Sequence, residues 1–307
     1  VVSVPRPYIK AAGGKTSSLP ELLARIPSEI RGDYVEPFIG GGALFWEMRR
    51  LEAAGERSVR GCYLVSDVHP ALVVTLRAVR DDVDDLMRRL DGMKLTEAAY
   101  YKVRDFDPLR DIAPGSPGKA AAVGAWFIYL NKTCFNGLYR TNKAGRFNTP
   151  WGKRTNVALY DEENLRACSR ALNRYTSIGL ADMPADFEKI LDSCTDGDFV
   201  YCDPPYVPMG GTANFTAYAK ANFRMGDQTR LAEAARRAAK RGALVMLSNH
   251  DLPSVRELYA GAFHIERLEV RRNINSNGAK RGGVGELVMT SYDPHAARFE
   301  NRKAVGA

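Results

Sequence analysis

Phe199-Val200-Tyr201-Cys202-Asp203-Pro204-Pro205-Tyr206 is the stretch from which the rest of this chain is read. Four β-formers lead into an acid, two prolines and an aromatic. Proline has no amide hydrogen to give a ladder, so the strand stops at Cys202. A residue before proline is confined to extended geometry, which holds Asp203 and Pro204 stiffly at the strand's carboxyl end. In open α/β sheets that edge is where ligands bind. A carboxylate, a fixed carbonyl and an aromatic face together suit a planar base with an exocyclic amino group. Read alone, the stretch also fits a strand followed by a proline turn with a capping acid.

Upstream, Tyr34-Val35-Glu36-Pro37-Phe38-Ile39-Gly40-Gly41-Gly42-Ala43-Leu44-Phe45 reads as strand, glycine turn and helix. Gly40 and Gly42 permit a tight turn and close approach of a ligand to the backbone. The next strand, Gly61 to Ser66, ends at Asp67. An acid there holds ribose hydroxyls in many nucleotide sites, or caps the following helix. Near the start, Lys10-Ala-Ala-Gly-Gly-Lys15 is a small-residue loop ending in a lysine. It lacks the first glycine of a triphosphate loop, leaving a loop that meets a carboxylate or phosphate, or a plain turn with a solvated lysine. The pattern predicts a helix over 18–26, with Ser17 or Ser18 and Glu21 as a capping box.

The 307 residues suffice for one large domain or a core with an insertion. With 45% hydrophobic and 26% charged residues the composition is that of an ordinary globular chain, and no apolar run approaches membrane-spanning length. The first fifteen residues lack a signal peptide's apolar core. Cys62, Cys134, Cys168, Cys194 and Cys202 have no metal-type spacing; they point to reduced thiols in a cytoplasm, with no metal site expected. The net charge of +8 favours a polyanionic partner. It is concentrated: no carboxylate stands between Asp111 and Asp161, whereas Lys119, Lys132, Arg140, Lys143, Arg146, Lys153 and Arg154 do. Phe135, Tyr139, Phe147 and Trp151 are interleaved with them. Cations for phosphates beside aromatics that can wedge a base step describe a nucleic-acid surface; the bland alternative is a solvated basic loop.

Periodicity predicts helices over 70–90, 96–105, 119–131, 162–173, 186–192 and 253–259, and a helix capped by Asp227 and running to about 241. Strands are expected over 175–180, 243–247, 263–270 and 286–291. Residues 107–118 read as a Pro/Gly hinge and 133–156 as loops or a short hairpin. The polar stretch 207–226 fits a lid, and Arg271, Arg272, Lys280 and Arg281 form a second cationic patch. His250 reads as structural or as a lid contact.

Taken in order, these segments resemble the Dam-type DNA adenine methyltransferases of the α arrangement. The resemblance rests on Lys10–Lys15, Val35–Gly42, Tyr129–Arg140, Gly145–Gly152, Tyr201–Tyr206, Thr212–Tyr218, Ser248–Asp251 and Ser276–Gly278 in register. It implies an α/β fold, with a Rossmann-like S-adenosylmethionine-dependent methyltransferase sheet interrupted by a mainly helical DNA-recognition insertion. The catalytic domain would comprise 1–80 and 175–307, and the insertion 81–174. The implied activity is methyl transfer from S-adenosylmethionine to adenine N6 in double-stranded DNA at GATC, by base flipping, in a cytoplasmic, nucleoid-associated enzyme. Ala11, Lys15, Phe38, Gly40, Gly42, Asp67 and Asp203 would hold the cofactor. Asp203, Pro204, Pro205 and Tyr206 would form the catalytic base pocket. Lys10, Phe135, Asn136, Leu138, Arg140, Asn148 and Pro150 would contact DNA, with Phe135 as the wedge. The chain departs from the family at Ala11, where Trp is common, at Phe135, where Tyr is frequent, and at Lys132-Thr133-Cys134. Rival readings are the same chemistry on cytosine N4 or RNA adenine, and a non-catalytic DNA-binding regulator.

Overall fold

The computed structural model describes residues 3–11, 14–179, 186–206, 223–268 and 285–296. Its strands are β1 (Glu29–Ile30), β2 (Tyr34–Glu36), β3 (Ser58–Val59), β4 (Tyr63–Val65), β5 (Thr176–Ile178), β6 (Phe199–Cys202), β7 (Leu244–His250), β8 (His264–Leu268) and β9 (Glu286–Thr290). Its helices are α1 (Leu19–Leu23), α2 (Ala43–Ala53), α3 (Pro70–Asp81), α4 (Val83–Asp91), α5 (Glu97–Asp105), α6 (Pro108–Asp111), α7 (Lys119–Thr133), α8 (Glu162–Asn173), α9 (Phe187–Ser193), α10 (Met225–Lys240) and α11 (Pro253–Tyr259).

Seven strands form one sheet in the order β5-β4-β2-β6-β7-β9-β8. The first five are parallel; β9 runs antiparallel to both β7 and β8. Chain order reverses between β2 and β6, so the topological switch point lies at their carboxyl ends. Alternate strand residues serve opposite faces. Tyr34, Phe199, Tyr201, Met246 and Val288 join the core shared with α2, α3, α4, α7 and α8. Val35, Val200, Cys202, Val245, Leu247, Leu287 and Met289 join the core under α9, α10 and α11. Helices on both faces of a mainly parallel sheet make the fold Rossmann-like. Among the described residues no helix is long and apolar enough to cross a membrane.

Helix α7 is apolar nearly all round and accordingly buried. Gly124 lets it press on α3 and α4: a Cβ there would stand 2.7 Å from a Leu86 methyl and 3.1 Å from Ala78 Cβ. Trp126 and Tyr129 still satisfy their polar tips, on the Val103 and Lys94 carbonyls.

Several local expectations are corrected. The helix over 18–26 is a single α-turn preceded by a 3-10 turn, and Ser18 makes no side-chain cap; its hydroxyl turns to Glu286 instead. The segment 70–90 breaks at Asp82 (φ −149°, ψ 45°) into α3 and α4. The new start suits Asp84 and Asp85 at one dipole end and Arg88 and Arg89 at the other. Asp227 lies inside α10, its carboxylate accepting the Arg224 amide. Strand β7 continues through Ser248-Asn249-His250, because β9 pairs with all three. Pairs β1 and β3 add a two-stranded ribbon that no sequence pattern announced. The lid from 207 to 222, with Thr212–Tyr218 in it, Ser276–Gly278 and the patch at Arg271, Arg272, Lys280 and Arg281 fall outside the described residues.

Candidate active site

Strands β2, β4, β6 and β7 all deliver their next residues to one edge. β6 delivers Asp203, held as the prolines require. Asp203 Oδ2 is 2.8 Å from Lys15 Nζ, and Oδ1 accepts the Ser248 hydroxyl at 2.7 Å. Since that donation uses the serine's only proton, the Tyr201 hydroxyl, 3.0 Å away, must donate to Ser248. Burial pushes the Asp203 carboxyl upward, while the Lys15 ammonium and the Ser248 hydroxyl oppose the shift.

Strand β9, being antiparallel, brings its first residue to the same edge. Glu286 Oε1 accepts the Tyr206 hydroxyl at 2.7 Å and lies 3.3 Å from Lys15 Nζ. Lys15 itself is buried, with its ammonium 4.8 Å from the Tyr206 ring centroid. The His250 ring stands 4.3 Å from that of Tyr206. Behind them, buried Gln228 donates to the Pro205 carbonyl and is held by buried Asn249. Glu36 lies buried beneath the site and accepts the Tyr34 hydroxyl at 2.7 Å. Burial, with the Asp203 charge adding to it, raises its carboxyl to about 8. Cys202 is buried in the strand and its thiol is pushed well up by burial, which disqualifies it as a nucleophile.

The glycine turn forms the adjoining wall. Gly40 (φ 49°) and Gly42 (φ 67°) are both left-handed. The Gly40 amide donates to Asp67 Oδ2 at 3.0 Å, and Asp67 Oδ1 accepts the His69 amide at 2.9 Å. Asp67 thus ties the turn to the start of α3. The helix cap is His69, whose Nδ1 accepts the Leu72 amide, so the capping role expected of Asp67 is not its own. Open space faces Gly40, while a Cβ on Gly41 would come within 2.8 Å of Ala11 Cβ. Phe38 packs edge-on against Phe223 and tilted against Phe187. An acid with spare lone pairs, an open glycine turn, a small wall residue and an aromatic fit a nucleoside carrying an amino-acid tail.

The basic segment after α7 folds back on itself through the bridges Cys134↔Trp151 and Thr141↔Phe147. Phe135 is half exposed (51%), and Asn136 beside it is left-handed (φ 54°). The Phe135 amide donates to the Pro150 carbonyl, the Asn148 amide to the Arg140 carbonyl, and the Thr149 hydroxyl to the Leu138 carbonyl. Phe135, Asn136, Leu138, Arg140, Asn148 and Pro150 are therefore carried by one hairpin. Asn131, at the end of α7, clamps the backbone of Lys10 through both amide atoms at 2.8 Å. That clamp brings Lys10 to the hairpin and its neighbour Ala11 to the glycine turn. Burial and Lys10 pull the Lys132 ammonium below its usual range. Two cations of this stretch have structural duties: Lys119 donates to the Leu109 and Ile112 carbonyls, and Arg146 pairs with Asp111.

The sequence reading thus missed Glu286 and assigned no role to Ser248, Gln228 or Glu36. Ser248 stands within a quoted segment and could have been found there. Glu286 begins an unremarkable strand, and no local signal marked it.

A family model described as D12 class N6 adenine-specific DNA methyltransferase matches residues 12–274. The type II methyltransferase M.MjaIII of Methanocaldococcus jannaschii is 38% identical over 304 residues, covering 94% of this chain and 99% of its own. The type II methyltransferase M1.LlaDCHI of Lactococcus lactis is 34% identical, covering 94% and 95%. The DNA adenine methylase of Escherichia coli K12 is 33% identical, covering 94% and 96%.

Proposed function

The chain belongs to the D12 class of N6 adenine-specific DNA methyltransferases, and from that premise we propose that it methylates adenine in duplex DNA at GATC, with S-adenosylmethionine as donor. The observation that carries this reading is the meeting of Lys15, Asp203 and Tyr206 beside the glycine turn at the switch point. When bound, S-adenosylmethionine supplies an electrophilic methyl group on a sulfonium sulfur. Asp67 would accept its ribose hydroxyls, Lys15 would meet its carboxylate, and Phe38, Gly40, Gly42 and Ala11 would line its bed.

The target amino group is buried in a base pair, so the adenine must leave the stack, at a cost of roughly a few kcal/mol. Phe135 would fill the vacated step, and the cationic hairpin would hold the phosphates. Leu138, Arg140, Asn148, Pro150 and Lys10 would face the bases or their backbone; an arginine or lysine suits guanine, an apolar group the thymine methyl. The insertion expected at 81–174 would thus be the target-recognition unit. In the pocket, Tyr206 stacks on the flipped ring. Asp203 and the Pro204 carbonyl accept hydrogen bonds from the amino group, drawing its lone pair out of conjugation and stabilising the positive charge that develops on nitrogen. Pro205 keeps the turn rigid.

Incubation with methyl-labelled S-adenosylmethionine and duplexes bearing GATC or its scramble tests the reading. Label is expected on adenine of the GATC duplex. Label on cytosine, on RNA only, or on no nucleic acid would overturn it.

A further inference from the structure

Glu286 lies outside every sequence motif, yet its carboxylate joins the two halves of the pocket. A parallel strand meets the ligand edge with its last residue. β9 is antiparallel, and its register sets Glu286 opposite His250, so here the first residue does so. Tyr206 has one phenolic proton, and it goes to Glu286 Oε1 at 2.7 Å. The same oxygen is 3.3 Å from Lys15 Nζ, which also holds Asp203. The other oxygen faces the Ser18 hydroxyl. The Tyr206 ring is thus pinned at its tip by Glu286, with the Lys15 ammonium and the His250 ring close by.

We propose that Glu286 is a positioning residue that holds the Tyr206 ring ready to receive the flipped base. The proposal rests on the reading of this pocket as the site of adenine methylation. A ring that must stack on an incoming base serves best when its face is already fixed, since ordering it on binding would cost entropy. The proposal assigns the effect of Glu286 to the phenol and not to its Lys15 contact at 3.3 Å, so that effect should vanish when the phenol is absent.

Two measurements test this. In the first, Glu286→Ala is made in the wild-type chain and in Tyr206→Phe. It should lower kcat about tenfold in the former and less than about twofold in the latter, as for neighbours sharing one contact. Glu286→Gln, which keeps an acceptor for the phenol, should restore most of the loss. Equal losses in both backgrounds would overturn the proposal. The second uses 3-fluorotyrosine-labelled protein without DNA, the Tyr206 fluorine resonance being identified by its disappearance in Tyr206→Phe. That resonance should shift and narrow in Glu286→Ala; an unchanged resonance would sink the idea. Should Glu286→Ala melt below the assay temperature, Glu286→Leu, which fills the space but offers the phenol no acceptor, takes its place, and a Tyr206 resonance unmoved in that variant overturns the proposal. If wild type methylates no adenine, the functional reading fails, and the fluorine experiment still decides the role of Glu286.

Discussion

Asp203 is held between two donors of different kinds, an ammonium at 2.8 Å and a hydroxyl at 2.7 Å. Each of its oxygens keeps a further lone pair for an amino group. Asp203→Ala should therefore lower kcat by at least about 10²–10³-fold, the scale for removing one preorganised electrostatic partner. DNA affinity in a gel-shift titration should stay nearly constant, because the cationic hairpin is untouched; retained methylation would refute the catalytic role. Glu36 makes a different prediction. Its carboxyl rises to about 8 in the folded chain, mainly through burial, against about 4.3 when unfolded. The protonated form is thus the folded-state form. The stability it contributes is full below the unfolded value and is lost as pH rises through about 8. Wild type should lose a few kcal/mol, as an order of magnitude, relative to Glu36→Gln between pH 5 and 8.5. Urea unfolding of both proteins across that range measures it, and parallel curves would contradict it.

At the scale of elements, the antiparallel insertion of β9 and the hairpin after α7 bring in what the parallel strands cannot. The hairpin keeps its own shape through backbone bonds, such as Asn148 to Arg140 and Phe135 to Pro150. Side chains on it can therefore change without unfolding the sheet. Arg140→Ala should relax preference at one base pair by about 1–3 kcal/mol, the worth of a good bidentate contact. Competition between duplexes carrying single-base changes in the site would read this, and unchanged preference would remove Arg140 from the reading set. The same scale explains the misjudged boundaries. Ser18 has the right neighbours for a capping box, but Glu286 competes for its hydroxyl. Strand β7 outruns its apolar stretch because β9 offers partners to Ser248, Asn249 and His250.

Across the whole molecule, α7 joins the hairpin to the sheet. It ends in the hairpin, and it packs on α3, which begins three residues after Asp67. His69 tightens this link, since its ring meets Tyr139 at 4.2 Å and its amide is held by Asp67. The crossing depends on Gly124, which has no room for a Cβ against Leu86. Gly124→Val should destabilise the protein by about 1–3 kcal/mol, as overpacking of a close-packed core does. Thermal melts would check this; an unaltered midpoint would mean that the helices part without cost.

The sequence by itself determined the strand that stops at Asp203, the glycine turn after β2 and the cationic character of the segment after α7. The first two follow from restraints within a few residues, the proline ring and a missing Cβ; the third follows from the lack of acids between Asp111 and Asp161. The structure adds that Tyr34 and Phe199 serve one face of the sheet and Val35 and Val200 the other. Only the tertiary structure decided that Ser248 and Lys15 divide the Asp203 carboxylate, that His69 takes the cap from Asp67, and that Glu286 pins a tyrosine 80 residues away. Those partners are chosen by strand direction and register. Reversing one strand exchanges which of its ends meets the ligand edge, and no local pattern in the chain encodes that exchange.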